Sequence, residues 1–220
     1  MQYIAYRYDK FAPGEIYITF TRGVEKRDVF LDDVDRKRFL DLLVHYLPEN
    51  QPRSFSVARK LKLELSPTSE GKGLVDLLCY CLMSNHFHLL IKENVEHGIS
   101  RYMHRLLTGY AKYFNTKRER SGSLFTNPFK AVLVDGDEQF THVSRYIHRN
   151  PVEADIVTDL SAYQWSSLSQ YTTRQRQTYC HTDLLRSVFS AKQYQDFVED
   201  EDDYYETLAE NEGLLIDFDD

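Results

Sequence analysis

The stretch Met83-Ser84-Asn85-His86-Phe87-His88-Leu89-Leu90-Ile91 decides how this chain is read. Leu74 to Met83 is apolar enough for a central strand and His86 to Lys92 for a second, with Ser84-Asn85 as a tight turn between them. The two make an antiparallel hairpin. Side chains alternate along a strand, so His86 and His88 project to one face and Phe87 to the other.

Upstream of the hairpin, Gly14 to Gly23 alternates with Ile16, Ile18 and Phe20 on one side, the period of a half-buried strand. Asp32-Asp33-Val34-Asp35 is a helix-start signal, followed by Phe39, Leu42, Leu43, Tyr46 and Leu47 at helical spacing before Pro48. Pro48 to Gly73 is polar, carries Pro52, Pro67 and Gly71, and reads as an inserted loop or hairpin with a short Leu61-Leu63-Leu65 alternation. Downstream, Ser100 to about Lys117 is an amphipathic helix with Ser100 as its cap. Ala131 to Val134 is a short strand, and Asp137 to Asn150 is a helix that Pro151 ends. The order is βαββαβ plus one helix. That predicts an α+β domain with a ferredoxin-like antiparallel sheet, helices on one face, and an additional C-terminal helix. The expected organisation is an N-terminal extension over 1–13, the domain over 14–172 with its insertion at 48–73, a helical extension over 173–195, and an acidic tail, helical or disordered, over 196–220.

The formal charge is −7, from 27 basic and 34 acidic residues. Such an average argues against a nucleic-acid partner, but it is unevenly distributed. Twelve acidic residues and no Lys or Arg lie between 196 and 220, so residues 1–195 hold 27 basic against 22 acidic groups, a net +5. Arg101, Arg105, Lys112, Lys117, Arg118, Arg120 and Lys130 oppose Glu119 alone between 101 and 134. An acidic tail thus follows a mildly basic body, and a tail folded back over basic groups would be autoinhibitory toward a polyanion. No apolar run approaches the roughly 20 residues that span a bilayer, and the N-terminus lacks a signal-peptide layout; the expectation is a cytoplasmic protein with no membrane partner. Cys79, Cys81 and Cys180 are too few for a disulfide framework and read as thiols.

Two imidazoles side by side chelate a divalent metal but leave its shell incomplete, which suits a site that must also admit a phosphate oxygen. Burying both without a partner would be costly, so the alternating pair favours a metal over two packed histidines. In Arg145-Tyr146-Ile147-His148-Arg149-Asn150-Pro151, Tyr146 and Asn150 are four apart on one helical face, with His142 a turn earlier and Arg149 close by. Spacing alone does not choose Tyr146 among 16 tyrosines. Tyr110 is a rival, although it shares an apolar stripe with Leu106, Leu107 and Phe114. A structural zinc site is a separate reading: in this hairpin Cys81 falls opposite His88, with Cys79 on the same strand.

The run Met-x-Asn-His-x-His-Leu-Leu, then Arg-Tyr-Ile-x-x-Asn-Pro-Val-x-Ala (Arg145 to Ala154), then Trp165-Ser166-Ser167, resembles the HUH single-tyrosine transposases, in particular the REP-associated tyrosine transposase branch. Tyr110 to Asn115 and Ser121 to Phe125 extend the likeness, which runs from about Gly14 to Tyr171 apart from the insertion. The resemblance implies a DNA strand transferase acting on single-stranded or hairpin DNA. His86 and His88 would hold Mg²⁺ or Mn²⁺ with Asn150 as third protein ligand, and Tyr146 would attack the phosphate to leave a 5′-phosphotyrosine bond. Arg105, Lys112, Lys117, Arg118, Arg120, Lys130, Arg145 and Arg149 are the basic residues expected on DNA phosphates, and Tyr113 offers a stacking surface. Two departures stand out. Ser84 replaces a frequent proline, and Asn127-Pro128-Phe129-Lys130 lacks an expected arginine, which motivates an alternative reading as a domesticated member that binds without cutting. Monomer and homodimer both remain open.

Overall fold

A computed structural model describes residues 11–50, 54–61, 73–126, 128–173 and 179–200. Strands β1 (Ile16–Arg22), β2 (Val75–Leu82), β3 (His86–Glu93) and β4 (Lys130–Val134) form one sheet in the order β2-β3-β1-β4, with every neighbouring pair antiparallel. This is the order a βαββαβ chain adopts when its first and third strands take the centre, as expected from the sequence. The β2–β3 hairpin turns at Ser84-Asn85, closed by Met83 N–H on the His86 carbonyl at 3.0 Å. The turn is then anchored from outside. Val29 and Phe30 N–H donate to the Ser84 carbonyl at 2.9 and 3.0 Å, and Gly23 N–H to the Asn85 carbonyl at 2.8 Å. Gly23 also lets the chain fold back on itself at Arg27, whose carbonyl oxygen would lie 2.2 Å from a Cβ at this position.

Helix α1 (Asp33–His45) starts where the acidic run placed it: Asp32 is the N-cap, accepting from Asp35 N–H at 2.8 Å. It packs with α3 (Gly98–Lys117) on one face of the sheet, where Phe39 meets Phe87 with ring centroids 4.7 Å apart and Met103 sulfur lies 3.9 Å from Thr19 Oγ1. Ser100 does not cap α3. The helix begins at Gly98, two residues earlier, because the buried carboxylate of Glu93 accepts from Gly98 and Ile99 N–H, both at 3.3 Å, and does the capping across the loop. Within the expected insertion, Phe55–Lys60 forms a short helix, α2, which buries Phe55 and Ala58. Lys62 to Lys72, with most of the Leu61-Leu63-Leu65 alternation, lies outside the described residues.

The opposite face of the sheet is covered by α4 (Gly136–Glu153). The helices are therefore on both faces, those of the βαββαβ core on one and the additional helix on the other. Pro151 does not end α4. The helix runs on to Glu153, since a proline near the C-terminal end removes one hydrogen bond without blocking the last turn, and Ala154 N–H still reaches the Asn150 carbonyl at 3.0 Å. Val143 to Pro151 is buried without interruption. The sheet covers one side of that stretch, and α5 (Leu168–Thr172) and α7 (Ala191–Glu199) crowd the other, with α6 (Asp183–Val188) before α7. The acidic tail expected from 196 thus starts inside a folded helix, in which Tyr194, Phe197 and Val198 at helical spacing face the body and Val198 is fully buried. Residues 201–220 lie outside the described residues. No helix among the described residues is long and apolar enough to cross a membrane.

Candidate active site

Strand alternation puts His86 and His88 on the α4 face, as the sequence requires, with ring centroids 5.0 Å apart and planes at 87°. Across the sheet His88 pairs with Phe20 of β1 and Cys81 of β2, and His86 with Arg22. Asn85 Oδ1 lies 2.6 Å from His86 Nδ1, while Asn85 Nδ2 donates to the Lys26 carbonyl at 3.3 Å. With the amide so turned, Oδ1 is the acceptor and Nδ1 carries the proton, so Nε2 holds the lone pair that a metal needs. Asn85 is thus a supporting residue that the motif contained but spacing did not assign.

Tyr146 comes to this pair from α4. It is 6% exposed, and its ring meets His88 edge-on at 5.6 Å between centroids. Asn150, one turn further and also buried, donates its amide Nδ2 to the Tyr146 carbonyl at 2.8 Å. Only Oδ1 of that side chain then has ligand character. The donor set fits a divalent ion: the adjacent imidazoles of His86 and His88 would hold it, with an amide oxygen on the adjoining helix as a third candidate. Among the described residues no three His, Cys, Asp or Glu side chains gather at one point, so the shell is left to this pair, the amide and outside oxygens.

The same absence weighs against the structural zinc reading. Cys81 does pair with His88, but Cys79 lies near the Tyr171 hydroxyl at 3.8 Å, and burial pushes its thiol up to about 12, which disfavours the thiolate that zinc binds. Tyr110 packs in the core on the opposite face of the sheet. It is fully buried, donates to the Val29 carbonyl at 2.5 Å, and burial raises its pKa well beyond an ordinary phenol.

The basic residues divide into four groups. Lys117 and Arg118 are bound to acids: Lys117 reaches Asp35 at 2.6 Å and Asp32 at 2.9 Å, and Arg118 reaches both at 3.0 Å. Arg105 donates to the Pro48 and Glu49 carbonyls, and Arg120 to Asn115 Oδ1 and the Ser123 carbonyl. Arg145 and Arg149 are 1% and 2% exposed and turn to α7, as does His142, whose ring lies 5.6 Å from that of Phe197. Positions 142, 145 and 149 form their own helical stripe, rotated away from the stripe of Tyr146 and Asn150. The cations therefore do not converge on the phenol as proximity in sequence suggested.

Lys112 and Lys130 are exposed. The Lys130 ammonium lies 5.8 Å from the Phe20 ring, which in turn stacks on His88 at 5.9 Å, so Lys130 borders the histidine pair. Lys112 lines a cleft of about 800 Å³ between α1, α2 and α3, on the other side of the sheet, together with Arg38, Arg59, Lys60, Phe55 and Tyr113. Arg38 is held between the Phe55 and Tyr113 rings at 4.8 and 4.6 Å. Sequence reading missed Arg38, Arg59 and Lys60. The last two sit in the segment read as a loop, and Phe55, Ala58 and Arg59 at helical spacing were the signal.

A βαββαβ sheet with a histidine pair on a central strand and a tyrosine helix laid across it defines a class of α+β domain. Comparison with known proteins finds a likeness over part of the chain: residues 56–150 match the family model described as IS200-like transposase. Among solved structures, a REP-associated tyrosine transposase bound to a REP hairpin is similar in fold, with a TM-score of 0.53 and 13% identity over 80% of this chain and 90% of that one. No curated protein matches. The resemblance read from the motifs is borne out, and the family match contains both His86–His88 and Tyr146–Asn150. It begins inside α2, within the segment expected to fall outside the likeness.

Proposed function

We propose that this protein cleaves and rejoins single-stranded DNA beside hairpins, with Tyr146 as nucleophile and His86, His88 and Asn150 as ligands of Mg²⁺ or Mn²⁺. The observation that carries the reading is the edge-on contact of Tyr146 with His88, which sets a phenol next to the histidine pair. Bound there, the metal would polarise the scissile phosphate. Tyr146 Oη forms a bond to phosphorus as the P–O3′ bond breaks; the phenol gives up one proton and the departing 3′ oxygen takes one up. The phosphotyrosine keeps the free energy of the phosphodiester, so the 3′-OH can reverse the step without an external energy source. His86, oriented by Asn85, and the fully buried His88 keep the pair in place before DNA arrives.

DNA phosphates meet Lys130 beside the site and Lys112, Arg38, Arg59 and Lys60 in the cleft on the far face, where Tyr113 and Phe55 offer aromatic surface. The solved relative bound to a REP hairpin supports such a partner. Binding without cleavage is favoured by a single observation, the burial of Tyr146. One assay separates the two. An oligonucleotide carrying a hairpin with a single-stranded flank, mixed with Mn²⁺, yields a covalent protein–DNA adduct that Tyr146→Phe abolishes. An equal adduct from the Phe variant would overturn the assignment of the nucleophile, and tight binding with no adduct under either metal would establish the second reading.

A further inference from the structure

A second buried polar cluster lies on the far side of α4, where α7 packs. Arg145 Nε donates to the Phe197 carbonyl at 2.7 Å and its guanidinium lies 3.9 Å over the Phe197 ring; Arg149 Nη1 donates to the Val198 carbonyl at 2.9 Å. These carbonyls belong to the last turn of α7, which has no intrahelical donors of its own and carries the negative end of the helix dipole. Two cations from α4 therefore cap the C-terminal end of α7, with charge-assisted bonds shielded from water. Three residues before Phe197, the Tyr194 hydroxyl donates to Ser144 Oγ at 2.9 Å and sits 2.8 Å from His148 Nδ1. His148 Nε2 lies 2.7 Å from Ser167 Oγ, which accepts from Tyr80 N–H of β2 at 2.9 Å. One assignment satisfies every group: Ser167 donates to Nε2, Nδ1–H donates to Tyr194, and Tyr194 donates to Ser144.

The contact points on α4 are Ser144, Arg145, His148 and Arg149, on both sides of Tyr146 along the helix axis. We propose that α7 is a clamp that fixes the rotation and height of the nucleophile helix, with Arg145, Arg149 and Tyr194 as positioning residues for Tyr146. The inference rests on the proposed role of Tyr146, and it removes Arg145 and Arg149 from the set that contacts phosphate. Helix α7 lies outside the family match over 56–150, so a segment beyond that match completes the site. A helix gripped on both sides of one residue cannot turn that residue away from the strand behind it. This matters because displacements of about 1 Å at a reacting group cost about a hundredfold in rate.

The test uses the full chain with Tyr194→Phe, which removes one hydroxyl and keeps the ring, and Phe197→Ala, which removes the ring under Arg145 and keeps the carbonyl. With saturating hairpin oligonucleotide and Mn²⁺, the single-turnover rate of adduct formation falls about tenfold in each variant, in line with a sub-ångström displacement. The half-saturating oligonucleotide concentration stays within about twofold and the fraction of protein that reacts is unchanged, a split that simple loss of folded protein would not produce. Amide exchange over 143–149 accelerates while that of β3 does not. Unchanged exchange over α4 in both variants would overturn the clamp, as would a loss of DNA affinity equal to the loss of rate. Exchange needs no catalysis, so a wild type that forms no adduct sinks the strand-transfer reading while the clamp is still decided.

Discussion

On the α1–α3 face of the sheet, Phe39, Phe87, Tyr110 and Phe125 interlock with ring centroids 4.7 to 6.0 Å apart. On the α4 face, one residue away along the same strand, the buried set is His88, Ser144, Arg145, Tyr146, His148, Arg149 and Asn150. The first face gains its stability from apolar area removed from water. The second hides polar side chains, and an added helix and a hydrogen-bonded relay supply partners to Ser144, Arg145, His148, Arg149 and Asn150. On β3, Phe87 thus belongs to the apolar face while His86 and His88 belong to the polar one. Such a division lets the site be polar without unfolding the domain.

The sharpest way to break this comparison is a pair of neighbouring substitutions. Phe87→Ala should cost about 3–5 kcal/mol of stability through the cavity it leaves, read as a lower urea midpoint with an unchanged slope. His88→Leu should leave the midpoint the same or higher, because it replaces a buried polar ring by a shape-compatible apolar one, and should abolish the metal-dependent adduct. Equal losses of stability from both would show that the faces are not distinct.

A smaller effect lies at the rim of the apolar face, where Asp32 and Asp35 of α1 meet Lys117 and Arg118 of α3. Hydrogen bonding to Lys117 is the main cause that lowers the Asp32 pKa to about 2. A carboxyl whose folded pKa is depressed stabilises the fold above its unfolded value near 3.8 and loses that contribution as pH falls towards 2. Lys117→Met should therefore flatten the loss of stability between about pH 4 and 2. At neutral pH it should cost about 1–3 kcal/mol, since Lys117 also holds the buried carboxylate of Asp35, which keeps Arg118 and Tyr113 as partners. Urea titrations of both proteins across that window measure it, and parallel acid limbs would refute the linkage.

The smallest effect concerns the cleft on this same face. Lys112→Ala should weaken hairpin binding a few-fold and reduce the slope of log affinity against log salt by about one, with no change in single-turnover rate at saturation. An unaltered salt slope would return the cleft to an ordinary solvated surface, leaving Lys130 as the basic contact at the site.

Much of the fold was legible because alternation and helical spacing are local properties. The β2–β3 hairpin, the Asp32 cap and the face shared by His86 and His88 all follow from the order of a few residues. The errors came where a group from another element overrode a local signal. Glu93 at the end of β3 reaches across the loop to the start of α3 and displaces Ser100 as its cap, and the sheet, α5 and α7 together enclose an α4 that Pro151 was expected to end. The acidic count after 196 concealed Tyr194, Phe197 and Val198, whose spacing marks a packed helix. In the site, the histidines and Tyr146 were readable as a motif, whereas the aim of the arginines was not. Arg145 and Arg149 flank Tyr146 in sequence, but successive helical residues point about 100° apart, and what waits in each direction is set by other segments.

The sequence by itself determined the βαββαβ order, the paired imidazoles on one face of a central strand, and the family to which residues 56–150 are matched. Periodicity and motif are written in neighbouring residues, so they can be read without coordinates. Only the tertiary structure decided that α4 crosses the opposite face from α1 and α3, that Tyr146 meets His88, and that Lys117, Arg118, Arg145 and Arg149 are held by partners within the chain. A side chain's charge is fixed by its type, but its availability depends on what the fold brings within about 3 Å of it.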